Sequence, residues 1–251
     1  MYFFSGMSRT IIFSIGLIVL VIGFLCWLLF FSGSALEPFG RDKIWAHRVN
    51  QLAKYKEAIK QFPGIELDIV YKPGEDIFDV THPPALSNNL NLEMYYLKGY
   101  HHEYNIKYWL DFKNLNHENA GDALNRLTYL TREYLLSPDN IIVESNEPEN
   151  LAGFKHEKFK ISYYLPQKLS TMEEVELEKR IKDIRDKFHP GIDYISTDFR
   201  DYDIINKYFP RHQKLIWFTG YRHMNRVRAR LLLYKILRDE KVDVLLMPFN
   251  P

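Results

Sequence analysis

The sequence predicts an α/β chain: a (β/α)8 TIM-type barrel that lacks a final helix and is preceded by one N-terminal transmembrane helix. Three observations lead there. From about residue 41 onward, short apolar runs alternate with longer helix-period stretches, the pattern of a parallel sheet with crossover helices. Eight main runs can be counted, which is the strand number of a closed barrel, and the glycine-rich phosphate loop of an open doubly wound sheet is absent. Ahead of them, residues 11–31 read IIFSIGLIVLVIGFLCWLLFF, with no charge and with Ser14 as the one polar side chain.

The apolar segment divides the chain into a short tail (1–10), a membrane helix (11–31), a linker (32–40) and a barrel domain (41–251). A helix rises about 1.5 Å per residue, so this segment is long enough to cross a hydrocarbon core of about 30 Å. A cleaved signal peptide has a shorter apolar core, although Gly33 and Ala35 stand at small-residue spacing and leave cleavage open. Cys26 has no lipobox before it. Arg9 is the only basic side chain ahead of the span, and Arg41, Lys43 and Arg48 follow it, so flanking charge says little about orientation. An anchor of this kind with a large C-terminal domain is most often exported, and the periplasmic or extracellular side is the expectation. A cytoplasm-facing domain is the alternative, and translation from Met7 in place of Met1 would alter only the tail.

The barrel elements follow in order. Strand one is expected over Lys43–Ala46, then a helix near Gln51–Gln61. Strand two is Gly64–Ile69; an extended piece, Ile77–Thr81, precedes a Pro-Pro turn and a helical stretch from Leu90 to about Gly99. Strand three is Lys107–Lys113, with a long helix over His117–Leu136. Strand four is Ile141–Ser145, with a short helix near Pro148–Phe154. Strand five is Lys160–Tyr164, and the helix Met172–Phe188 has Ser170 and Glu173 at capping-box spacing. Strand six is Asp193–Thr197, then a helix over Tyr202–Tyr208. Strand seven is Leu215–Thr219, then a helix over Met224–Asp239, and strand eight is Val242–Met247. With no helix after it, the seam between the last and first strands needs another cover, for which the linker is available.

Composition excludes several classes. The 33 basic and 32 acidic residues nearly cancel, so no bulk field favours nucleic acid. A single cysteine excludes an intrachain disulfide. Neither a nucleophile elbow nor zinc-ligand spacing is present.

Barrel active sites form at the C-terminal ends of the strands. Those ends carry His47 and Arg48, then Glu66 and Asp68 in GIELDI, then Asp111 and Lys113 in WLDFK, then Glu144 and Ser145, with His82 after the extended piece. Glu66 and Asp68 are two apart on a strand, so both face one side while Ile65, Leu67 and Ile69 face the other. Charged side chains in a packed interior are costly unless paired or metal-bound. Three carboxylates from two neighbouring strands suit an all-oxygen site for Mg²⁺ or Ca²⁺, and two histidines beside it suit a general base and acid. Taken alone, Glu-x-Asp in a strand reads as a solvated face; the ordered series at successive strand ends is the more specific signal.

Ala46–Arg48, Glu66–Asp68, His82 and the later Asp-x-Lys resemble the signature of the glycerophosphodiester phosphodiesterases, within the barrel superfamily of phospholipase C-like phosphodiesterases. His47–Arg48–Val49–Asn50, His82–Pro83–Pro84 and Asp111–Phe112–Lys113 resemble its menorin branch more closely still. The motif-bearing part is roughly Lys43–Lys113. The resemblance implies a divalent cation held by Glu66, Asp68 and Asp111, proton transfer by His47 and His82, and phosphate contacts from Arg48 and Lys113. It implies a membrane-anchored phosphodiester hydrolase acting on a lipid headgroup or a deacylated phospholipid. Departures from the phosphodiesterase pattern stand at Val49, at Pro83 and at Asp111, where glycine, an acidic residue and glutamate are usual. They support the alternative, a catalytically silent menorin-like barrel that binds a ligand or an envelope partner. Asn50, Glu144, Trp217 and Arg222 are further pocket candidates. Tyr163 and Tyr164 fit either core or pocket, the cluster Arg222–Arg230 reads as a solvated helix face, and the remaining histidines read as surface.

Overall fold

The computed structural model describes residues 9–31, 40–100, 106–188, 191–218, 220 and 225–251. Eight parallel strands close into a barrel: β1 (Ile44–His47), β2 (Gly64–Lys72), β4 (Lys107–Phe112), β5 (Ile141–Ser145), β6 (Lys160–Tyr164), β7 (Tyr194–Asp198), β8 (Gln213–Trp217) and β9 (Val242–Pro248). Each pairs with the next, and β1 closes the ring by pairing with both β9 and β2. The extended piece is β3 (Ile77–Val80), an antiparallel partner of the outer end of β2 and not a barrel stave.

Helices α2 (Leu52–Ala58), α3 (Leu92–Tyr100), α4 (Ala120–Glu133), α5 (Ala152–His156), α6 (Glu174–Asp186), α7 (Tyr202–Tyr208) and α8 (Arg226–Arg238) form the crossovers. Period-two alternation produces two distinct cores. Outward-facing Ile65, Leu67, Ile69, Leu110 and Val143 pack against helix residues such as Tyr55 and Leu127. Inward-facing Trp45, Trp109, Ile142, Leu215, Val244 and Leu246 fill the barrel below the polar mouth.

Gly64 faces the interior where the Trp45 ring lies on its backbone. A Cβ there would meet Trp45 ring carbons at 2.3–2.5 Å. Gly64→Ala is therefore expected to lower unfolding free energy by about 2–3 kcal/mol, the usual cost of overpacking a filled core. Denaturant unfolding followed by tryptophan fluorescence would read it, and an unchanged midpoint would show that Trp45 has room to move.

One expectation about local structure is corrected. Glu173 occupies the N-cap position of α6 without a side-chain cap, and Ser170 lies in the preceding 3-10 turn, where its N–H and hydroxyl both donate to Asp201 Oδ1 at 2.8 and 2.6 Å. The capping box does not form because α6 starts only at Glu174, which puts Glu173 and not Ser170 at the N-cap, while both Ser170 donors are taken up by the buried Asp201 carboxylate. At the seam, Ile44 and Leu245 pack against Ala229, Leu233, Ile236 and Leu237 of α8. Phe249 lies edge-on to Phe62, with centroids 5.1 Å apart. Among the described residues the seam is covered by α8 and the C-terminal tail; the linker residues 32–39, expected to serve there, lie outside the described residues.

Residues Arg9–Phe31 form one helix, α1, of 23 residues. Its described apolar side chains, Phe13, Leu17 and Leu20 among them, are exposed. Over the described side chains, which in α1 run unbroken only from 13 to 25, no helix is long and apolar enough to cross a membrane. The anchor is therefore a reading of the sequence.

Candidate active site

The site begins where β1 ends. Arg48 has a left-handed backbone (φ 51°), which turns the chain out of the barrel wall. Its N–H donates to Glu66 Oε2 at 2.6 Å, and the Val49 N–H donates to the Glu66 carbonyl at 2.9 Å. Lys54, from the first turn of α2, donates to the carbonyls of His47 and Arg48 at 2.8 and 2.7 Å. These bonds hold a conformation that costs a non-glycine residue on the order of 1–2 kcal/mol. Val49 is buried in the outer core, so the departure from glycine adds packing behind the turn and leaves the mouth unchanged.

On β2 and β4 the register sets Asp68 directly beside Asp111. Alternation places Glu66 on the same inner face. One carboxylate oxygen each from Glu66, Asp68 and Asp111 lie within 4.8 Å of one another, a separation that one divalent ion with oxygen ligands can bridge. Glu66 and Asp68 are 2% and 1% exposed. Burial, then the charges of Asp68 and Asp111, push Glu66 well above the usual carboxylate range. Asp111 is also raised, by burial acting against Lys113. Two groups temper the cluster, one a neutral amide and one an ammonium. Asn50 donates to Asp68 Oδ2 at 2.6 Å and accepts from the Asp68 N–H at 3.1 Å, fixing that carboxylate from behind. The Lys113 ammonium bonds Asp68 Oδ1 at 2.8 Å and also Asp111 Oδ2. Burial works against the Lys113 charge, but Asp111 and Asp68 outweigh it and the ammonium holds its proton more tightly than in water.

The two histidines flank this cluster. His47 Nε2 is 3.8 Å from Glu66 Oε2, and His82 Nε2 is 3.9 Å from Asp68 Oδ1. Burial, and then the Arg48 charge, lower His47 to about 4, so it is a neutral imidazole at pH 7. His82 Nε2 is 3.1 Å from Arg48 Nη2. Guanidinium only donates, so that nitrogen of His82 is the acceptor.

His47, Arg48, Glu66, Asp68, His82, Asp111 and Lys113 border one cavity of about 520 Å³ at the C-terminal mouth of the barrel, and Asn50 does not. Trp217 and Glu144 border it too. Ser162 donates to Glu144 Oε2 at 2.7 Å, and burial, followed by the Asp111 charge, raises Glu144 to about 8. Tyr164 stacks on Trp217 at 5.7 Å and 7°, whereas Tyr163 packs outward among the helices. Arg222 lies outside the described residues. Arg226 and Arg228 are exposed on α8, but Arg230 is 2% exposed and so does not belong to a solvated face. Sequence reasoning missed Trp109, Gln167, Lys168, Arg200 and Leu246 in the lining. Arg200 could have been found by extending the strand-end rule to β7, which it follows by two residues; Lys168 sits in a loop with no pattern to mark it.

No family model and no curated protein sequence matches the chain. Solved structures do. A glycerophosphodiester phosphodiesterase from Parabacteroides distasonis superposes with TM-score 0.56 at 12% identity, over 82% of this chain and 93% of that one. A candidate enzyme of the same name from Galdieria sulphuraria gives 0.56 at 18% identity, over 81% and 92%. An Oleispira antarctica phosphodiesterase, in complex with its product sn-glycerol-3-phosphate, gives 0.53 at 10% identity, over 81% and 92%. This chain has the barrel fold that those glycerophosphodiester phosphodiesterases have.

Proposed function

We propose that the chain is a membrane-anchored, divalent-metal-dependent phosphodiester hydrolase of the glycerophosphodiester type, acting on a lipid headgroup or a deacylated phospholipid. The observation that carries the proposal is the trio of carboxylates within 4.8 Å, flanked by two histidines in an open cavity. Glu66, Asp68 and Asp111 fit a Mg²⁺ or Ca²⁺ ion, because an oxygen from each lies within 4.8 Å of the other two and their mutual repulsion is otherwise only partly relieved by Lys113. When bound, such an ion supplies Lewis-acid polarisation of a phosphoryl oxygen.

The chain's own groups account for the rest. Arg48 and Lys113 bring positive charge to the phosphoryl oxygens. His47, neutral because it is buried beside Arg48, takes a proton from the attacking oxygen. His82 carries a proton to the leaving alcohol; its neutral ring accepts from Arg48, and its protonated ring has the Asp68 carboxylate 3.9 Å away as counter-charge. In α1 the uncharged residues 11–31 serve as the anchor, with the barrel on the exported side. The fold shared with the phosphodiesterases supports the reaction class, and the product seen with the Oleispira enzyme supports a small polyol phosphate as ligand. A mouth plugged by side chains would have supported a silent barrel; the mouth holds a cavity of about 520 Å³, which a substrate or a bound ligand could equally occupy, and turnover separates the two.

The test is hydrolysis of glycerophosphodiesters by the detergent-solubilised full chain with Mg²⁺ or Ca²⁺. Release of the alcohol that stops on adding EDTA and resumes with metal is the expected result. Absence of turnover with either metal across glycerophosphodiesters of different headgroups would leave the ligand-binding barrel as the reading.

A further inference from the structure

The phosphodiester chemistry uses one side of the cavity, formed by β1, β2 and β4. In the ring order β6 is four places from β1, and β7 is four places from β2, so the loops after β6 and β7 stand across the mouth. Each of those loops puts a cation on the cavity wall, Lys168 and Arg200. The proposed reaction has no use for either.

The two cations are set differently: Lys168 is exposed and Arg200 is half-buried. Lys168 holds a left-handed backbone (φ 66°, ψ 25°) and has no carboxylate partner among the described residues. Arg200 is fixed by Asp198, which is 2% exposed and accepts from Nε at 2.6 Å and Nη2 at 2.9 Å. The stacked pair Tyr164 and Trp217 lines the same cavity and presents a flat aromatic surface. One side of the mouth thus carries the proposed phosphodiester site, and the opposite side offers the Lys168 ammonium together with Arg200, whose guanidinium is paired with Asp198.

We propose that Lys168 and Arg200 form a second anion subsite, and that the preferred substrate is a phosphodiester whose leaving alcohol carries a further phosphoryl group. The placement of the first phosphate rests on the hydrolase reading. The second phosphate lies against Lys168 and Arg200, with its polyol carbons along Tyr164 and Trp217. The subsite selects the alcohol and takes no part in the bond-breaking step.

Calorimetry on the full chain with Mg²⁺, comparing glycerol 3-phosphate with glycerol 1,3-bisphosphate, tests this without depending on turnover. The bisphosphate is expected to bind about tenfold more tightly or better, in line with charge-assisted contacts to one added anion. Lys168→Gly removes the charge and still accepts the left-handed backbone; it brings the ratio of the two dissociation constants toward one. Lys168→Glu takes it below one. Equal affinities in the wild type, or a preference unaltered in both variants, would overturn the proposal. A ratio that behaves as expected in a protein hydrolysing no glycerophosphodiester would keep the subsite and remove the hydrolase reading.

Discussion

Glu66→Gln is expected to abolish saturable Mg²⁺ or Ca²⁺ binding and to lower kcat/KM for a glycerophosphodiester by about 10³-fold or more, the scale of losing a metal-centred electrostatic site. The amide is chosen over alanine because Glu66 Oε2 accepts the Arg48 N–H at 2.6 Å. Alanine would leave that donor buried and unpaired, at about 1–3 kcal/mol, and would confuse a folding defect with a lost site. Glutamine keeps the acceptor and removes the charge. Since burial and the charges of Asp68 and Asp111 already disfavour the ionised carboxylate, the metal-free variant should be no less stable than the wild type. Calorimetry for the ion and a pH-stat or coupled assay for turnover read the two halves separately. Undiminished turnover with Glu66→Gln would remove the carboxylate trio from the chemistry.

Glu144→Gln is expected to stabilise the metal-free protein in a pH-dependent manner. Glu144 is held near 8 in the folded chain by burial and then by Asp111, while an unfolded glutamate titrates near 4.3. Its folded value is raised, so the proton is bound in the native state over a range where the unfolded chain has released it. Stability from this group is present below about pH 4 and declines as pH rises through about 8. Glutamine does not titrate, and its carbonyl can accept the Ser162 hydroxyl bond that Glu144 now accepts at 2.7 Å. The variant should match the wild type near pH 4 and exceed it by roughly 2–4 kcal/mol at pH 8 and above. Urea titrations in EDTA from pH 4 to 9 would show this as a widening gap in midpoints. A constant gap across that range would mean that Glu144 is ionised in the fold.

The near wall of the site was legible because each of its groups obeys a rule that acts along the chain. Glu66 and Asp68 show in the period of β2, and Asp111 and Lys113 in that of β4. His47 and Arg48 lie at a strand end with an apolar run before them. Of the far wall, Arg200 lay within reach of the strand-end rule applied to β7, and Lys168 did not. Lys168 reaches the cavity because a left-handed turn redirects the loop after β6, and that turn carries no glycine or asparagine to announce it. Arg200 is placed by its own Asp198, a pair that in sequence reads as ordinary surface charge. Arg230 looked like one member of a solvated basic stripe, and the packing of α8 buries it.

By itself the sequence determined the eight-stave rhythm, the extra extended piece ahead of the Pro-Pro turn, and which face of β2 and β4 is polar. These follow from local periodicity and from the cost of burying charge, both of which can be read within ten residues. It also carries the apolar segment 11–31, whose length and lack of charge are properties of composition. Only the tertiary structure decided that β1 meets β9 under α8, that Asn50 grips Asp68, and that Lys113 lies between two carboxylates. It alone turned Ser170 to Asp201 and away from a capping box. In each case the partner is distant in the chain, so the outcome depends on which groups closure of the ring brings within hydrogen-bonding distance.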